Sequence, residues 1–168
     1  MRILNDINQS NEQDKSRYRN NLPQLCDEIF ITDGGLETTL IFHQDTDLPY
    51  FAAFDLLREQ RGIDILKGYY HQYTATDIIT ALTLTYSDEA TGITQAAQAA
   101  GIPIAVPFTV ATDGHLPSGE SIFEAINTVD TVTNNGPAYY MINCAHPSNF
   151  KEALATNATW LKRIRGIR

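Results

Sequence analysis

Met141-Ile142-Asn143-Cys144-Ala145 sets a thiol directly after an apolar run, where a parallel α/β protein presents its reactive groups. A cysteine at such a strand end is a candidate metal ligand or nucleophile, because the thiolate is both the soft ligand and the attacking group. His146 stands two residues on and offers an imidazole, either as a second ligand close in sequence to the first or as a base. Asp33-Gly34-Gly35 follows another apolar run. Its glycines let the backbone approach a ligand closely, and its carboxylate accepts hydrogen bonds from an ammonium or hydroxyl. The same residues also suit a plain strand-ending turn, and Glu37 beyond them is either a helix-start acid or a further substrate contact. Thr85-Tyr86 and the stretch from Thr109 to Asp113 close two more apolar runs, so one face of a sheet is expected to collect all of these groups. The loop Asp113-Gly114-His115-Leu116-Pro117-Ser118-Gly119 has a composition suited to folding over a mouth rather than joining the core. His115 within it is either a functional imidazole or an exposed loop side chain.

The elements that must position these groups are read from apolar periodicity. Continuous β-branched runs predict strands buried on both faces over 29–32, 77–85, 102–110 and 138–143. Helical patterns fall at 51–59, 62–73, 87–100, 118–132 and 148–164, with Ser87-Asp88-Glu89 opening one helix, Gly101-Ile102-Pro103 closing it, and Ser118-Gly119-Glu120-Ser121 opening the next. Strand, helix and strand between Thr85 and Val110 make a βαβ unit whose crossover should be right-handed. The fold class is therefore α/β, repeated βα units with parallel strands, either a doubly wound layer or a partial (β/α)8 TIM-barrel-like arc. A complete barrel usually takes about 250 residues, more than the 168 present.

With 43% hydrophobic residues the chain can bury one ordinary core, expected over 25–168, preceded by a polar leader at 1–24 without clear periodicity. A net charge of -8 and a pI near 4.8 argue against nucleic acid, whose binders neutralise phosphates with clustered Lys and Arg. Small polar substrates or protein partners fit better. The terminal cations Lys162, Arg163, Arg165 and Arg168 read as decoration of a helix C-terminus. No apolar window suits a membrane span or a signal peptide, so a cytoplasmic protein with free thiols is expected, with Cys26 as a small semi-buried residue. The patterns G-x-x-x-x-G-K-[ST], G-x-G-x-x-G, G-x-S-x-G and H-E-x-x-H are all missing, which leaves a thiol or zinc mechanism.

Taken together, Asp33-Gly34-Gly35-Leu36-Glu37-Thr38, Leu48-Pro49-Tyr50-Phe51-Ala52-Ala53-Phe54, Phe108-Thr109-Val110 with Asp113-Gly114, Leu116-Pro117-Ser118-Gly119 and Met141-Ile142-Asn143-Cys144-Ala145-His146-Pro147 resemble the homocysteine S-methyltransferase family, in the same order. The resemblance implies a (β/α)8 barrel with one zinc held by three cysteine thiolates, the first matched by Cys144 and the others coming from a later Gly-Gly-Cys-Cys. It implies that the zinc holds homocysteine as a thiolate for attack on the methyl group of a sulfonium or similar donor. Asp33 and Gly34 match the loop beside the amino acid, and Gly35, Glu37, Thr85 and Asn143 are the further substrate-side positions. The sequence departs from the pattern in lacking Gly-Gly-Cys-Cys, in bringing Tyr69-Tyr70 within about seven residues of the next strand, and in carrying Thr85 where many members have a glutamate. The expectation is an internally shortened and C-terminally truncated member. Two further readings stand beside methyl transfer: an inactive remnant that acts through self-association as a homo-oligomer or through protein binding, and a metal-free thiol enzyme with Cys144 as nucleophile and His146 or His115 as base.

Overall fold

The structure, a computed structural model, describes residues 18–20, 22, 25, 29, 31–48, 56, 58–73 and 76–168. Four parallel strands, β1 (Ile79–Thr80), β2 (Ile104–Phe108), β3 (Tyr139–Ile142) and β4 (Ile164–Ile167), lie side by side in chain order. Four helices join the description: α1 (Gln60–Gln72), α2 (Ser87–Ala100), α3 (Ile122–Thr133) and α4 (Pro147–Leu154). Sequential parallel order means that each strand returns beside its predecessor after a crossover, with no reversal in the middle of the sheet. Between the two arrangements left open by the sequence, this is the order of a βα-repeat arc rather than of a doubly wound layer.

Local chemistry explains the helix ends. Asp88 and Glu89 occupy the first turn of α2, and Gly101 closes it in the left-handed region at φ 72°. Ser121 caps α3 in a full capping box with Glu124, so the helix starts after Ser121, at Ile122, rather than at 118. Pro147 takes the first turn of α4 behind the cap His146.

The sheet then separates two apolar layers by the strand period of two. Ile104, Val106, Phe108, Tyr140 and Ile142 face Ala90, Ala97, Ala125, Ile126 and Val129 of α2 and α3. Ile78, Ala105, Ala138 and Tyr139 look the other way and are covered by Tyr18, with Leu22 and Met141 beside them. A third cluster, Leu40, Leu48 and Leu66, holds α1 to the short helical stretch that runs through Leu36–Thr38 and Thr39–His43.

Three sequence expectations change. The helix expected over 148–164 ends at Leu154 and gives way to a 3-10 turn (Thr159–Arg163) and then β4. Of its cations, Lys162 and Arg163 do stand in the last turn of that 3-10 helix, with Arg163 pairing bidentately with Asp130 at 2.7 and 2.8 Å, whereas Arg165 and Arg168 belong to β4 and its end. The strand expected over 77–85 is broken, with β1 covering two residues and Leu84 rejoining as an isolated bridge to Phe108. The break sits at Thr83, whose φ is 60°. Of the run 29–32, Thr32 makes a single parallel bridge to Ile78, while Phe30 lies outside the described residues. Most of the helix expected at 51–59, most of the Leu48-to-Phe54 motif, Cys26 and most of the polar leader also lie outside them. Among the described residues no helix is long and apolar enough to cross a membrane.

Candidate functional site

The carboxyl ends of the strands gather the polar groups, because a strand that stops pairing leaves its next residues free to turn over the sheet edge. Asn143 follows β3 and is 2% exposed, a buried amide that must be satisfied. Its backbone N–H donates to Phe108 O at 3.0 Å. Its side-chain oxygen accepts from Thr83 N at 3.2 Å, and its Nδ2 donates to Thr83 Oγ1 at 3.0 Å and to Cys144 Sγ at 3.3 Å. Thr83 Oγ1 in turn donates to Cys144 Sγ at 3.6 Å. Cys144 is an exposed free thiol in the left-handed region at φ 53°, and its N–H donates to Arg168 O at 3.1 Å beyond β4.

Asp33 lies across the same edge. Its Oδ1 accepts from Thr80 N at 3.0 Å, so residues 80–83 are held at one end by Asp33 and at the other by Asn143. Partial burial pushes the Asp33 carboxyl above the ordinary carboxylate range, with the Thr80 N–H pulling only partly back. Among the described residues it has no ion pair. Tyrosines from α1 crowd this corner. Tyr69 donates its hydroxyl to Gly34 O at 2.8 Å, and its ring meets Tyr70 at 5.2 Å and Tyr73 at 4.8 Å. Burial first, then Tyr73 and the charge of Asp33, raise the Tyr69 hydroxyl; burial, Asp33 and Glu37 raise that of Tyr70. A Cβ at Gly34 would stand 2.7 Å from the Tyr73 hydroxyl, so a larger residue there must displace that side chain.

The remaining candidates scatter. Gly35 precedes the stretch Leu36–Thr38, in whose first turn Glu37 is exposed, as a helix-start acid would be. Thr85 stands beyond Leu84, and its carbonyl accepts from Ser118 N at 3.3 Å, which ties the 113–119 loop down. Leu116 of that loop is 2% exposed and joins the main core, a correction to the reading that the loop stays clear of it. His115 is exposed, with Nδ1 at 3.2 Å from Asp113 O. His146 spends Nδ1 on Ser148, accepting from its N–H at 3.3 Å as the cap of α4. Glu120 joins loop to helix through both Ser87 and Ser118. Burial would raise its carboxyl, yet the two hydroxyls and the Ser87 N–H outweigh that and hold it low.

Sequence reasoning missed Thr83 and the α1 tyrosines as parts of this site. The tyrosines were visible as a Tyr-rich helix, but which face met Asp33 was not. Among the described residues no group of three or more His, Cys, Asp or Glu side chains could hold a metal ion. The donors around Cys144 are one thiol, one hydroxyl and one amide, which is not a zinc set, so the residues in hand do not fit the metal of the resemblance.

Fold and site define a parallel βα-repeat protein with an exposed thiol at a strand carboxyl end. The model of the homocysteine S-methyltransferase family matches residues 74–165, more than half of the chain, and the chain belongs to that family. Comparison with curated proteins and with solved structures finds no match.

Proposed function

We propose that this chain carries the acceptor side of a methyl transfer to homocysteine or a similar thiol, a reaction that on homocysteine gives methionine. The observation behind this reading is that the family match runs through the strand end bearing Asn143 and Cys144. In it, the substrate ammonium binds the Asp33 carboxylate, which has a free valence for a cation, and Gly34 and Gly35 allow the close approach of the amino-acid backbone. Glu37, Thr85 and Asn143 complete the substrate surroundings, and Cys144 supplies the protein thiol. The substrate sulfur, its thiol proton released to solvent, attacks the donor methyl carbon as the bond from that carbon to its leaving group breaks and the demethylated donor departs. Zinc of the family type would need two further thiolates, and the sequence holds one other cysteine, Cys26. A small-molecule thiol and a methyl donor are thus the proposed ligands.

A second reading, an inactive remnant that self-associates or binds a protein, draws on the sheet edge. Among the described residues β4 pairs only with β3, and Ile167 at its end is 57% exposed. Two measurements on the purified chain separate them: zinc per chain by elemental analysis, and calorimetric titration with homocysteine. Homocysteine binding that is lost in Asp33→Asn, with methyl transfer from a sulfonium donor, supports the first reading. Neither binding nor transfer, with a stable dimer in solution, sinks it in favour of the second.

A further inference from the structure

We propose that Thr83 is the positioning residue for the Cys144 thiol, acting with Asn143 as a clamp that fixes the sulfur on the exposed side of the strand ends. The inference rests on the reading of Cys144 as the protein thiol of the site. Two non-glycine residues, Thr83 at φ 60° and Cys144 at φ 53°, take the left-handed backbone and face one another. For a β-branched threonine this conformation is rare, and it persists only where the surroundings enforce it. The enforcing group is Asn143. Its single amide spans both residues: the oxygen takes the Thr83 N–H, and Nδ2 reaches the Thr83 hydroxyl and the Cys144 sulfur. Because the Thr83 oxygen accepts from Nδ2, its own proton is left to donate to the sulfur. The sulfur thus receives two donors from one side while Cys144 itself stays exposed on the other.

A turn that served only to end β1 would favour glycine at such a φ. Threonine there supplies the one feature glycine lacks, a hydroxyl between the amide and the thiol. Thr83 therefore orients Cys144 through its own hydroxyl, which Asn143 holds in place, rather than by touching substrate.

The test is native-state alkylation of Cys144 by iodoacetamide at one fixed pH, followed by mass spectrometry, in a Cys26→Ser background that leaves a single thiol. Thr83→Val removes the hydroxyl and keeps the shape; it is expected to slow alkylation about five-fold, on the scale of one lost hydrogen bond. Thr83→Ser restores the hydroxyl and is expected to stay within about two-fold of the parent. Thr83→Gly admits the backbone conformation freely and removes the hydroxyl, so its alkylation slows as in Thr83→Val whatever its stability. A purely structural Thr83 moves stability and reactivity together. A folded Thr83→Val chain that alkylates at the parental rate or faster overturns the assignment. Should that variant not fold, a Thr83→Gly chain with parental reactivity overturns it equally. Neither homocysteine nor a methyl donor enters this assay, so a chain inactive in transfer yet showing the Val, Ser and Gly pattern loses the function proposed above and keeps the clamp.

Discussion

At the amino ends of the strands Asp130 and Arg163 pair with each other, and at the carboxyl ends a carboxylate and a thiol stand without a counter-charge among the described residues. Below β3, Arg163 grips Asp130 with two nitrogens, donates to Ala138 O and Pro137 O, and lies 5.1 Å over the Tyr140 ring, whose hydroxyl also donates to Asp130 at 2.9 Å. Arg19 reaches the same place and donates to Asn135 O and Pro137 O, although its buried Nε has no partner among the described residues. Both ends carry a left-handed pair, Asn134 and Asn135 before β3 and Thr83 and Cys144 at the carboxyl ends, but asparagine takes that region readily whereas β-branched threonine rarely does. The carboxyl ends also hold an exposed thiol and a carboxylate without an ion pair among the described residues. One end closes the fold with an ion pair, whereas among the described residues the other leaves a thiol exposed and a carboxylate without a counter-charge. That division is what a binding site demands, since groups already satisfied by the protein have nothing left for a ligand.

The sharpest way to break the contrast is at the paired end. Asp130→Ala removes the shared acceptor and leaves Arg163 beside Arg19, whose guanidinium is already pushed below its ordinary range by burial and by Arg163, with Asp130 opposing. Removing one partner of a sheltered pair typically costs about 3 kcal/mol or more. Urea denaturation is expected to show that loss, while homocysteine binding by the remaining folded fraction is unchanged. A loss under about 1 kcal/mol would mean that the amino end is no better fixed than an ordinary surface pair.

At the other end the sign reverses. Cys144→Gly replaces a residue held at φ 53° by one that adopts it freely, against a modest entropic cost of its own. Stability is expected to rise by about 0.5 kcal/mol, while any methyl transfer disappears. A destabilised Cys144→Gly chain would show that the thiol holds the fold together, and the contrast between the two ends would collapse.

How far this was legible in sequence follows the same line. α2 was readable residue for residue because its signals are local: acids in the first turn, Gly101 at the end and Pro103 after it. Asn143 and Cys144 at a strand end were readable because β3 is an unbroken apolar run. β4 was not, since Ile164-Arg165-Gly166-Ile167 is four residues long and set among cations, and the partner of Arg163 lies 33 residues earlier. Thr83 was hidden for a different reason. A strand taken as continuous over 77–85 puts its last residue, Thr85, at the site, but the break at Thr83 shifts the register by one before Leu84 meets Phe108. No local signal announces a threonine with positive φ. It is imposed by an asparagine 60 residues away.

The smallest effect concerns Asp33. Burial holds its folded-state carboxyl above the ordinary range, so the folded chain binds this proton more tightly than the unfolded chain does. Stability then falls as pH rises from the unfolded carboxylate range to the raised folded value, because the ionised group is the one that burial penalises. Asp33→Asn removes that proton, and its stability between those limits is expected to be flatter with pH than that of the parent, as read by urea unfolding at several pH values. An added ammonium ligand should act in the opposite sense. By pairing with the carboxylate it favours the ionised form, so homocysteine should flatten the parental profile while leaving the Asn variant where it was. Parallel profiles for parent and variant, with and without homocysteine, would place Asp33 with the satisfied groups of the opposite end and remove the carboxylate on which acceptor binding depends.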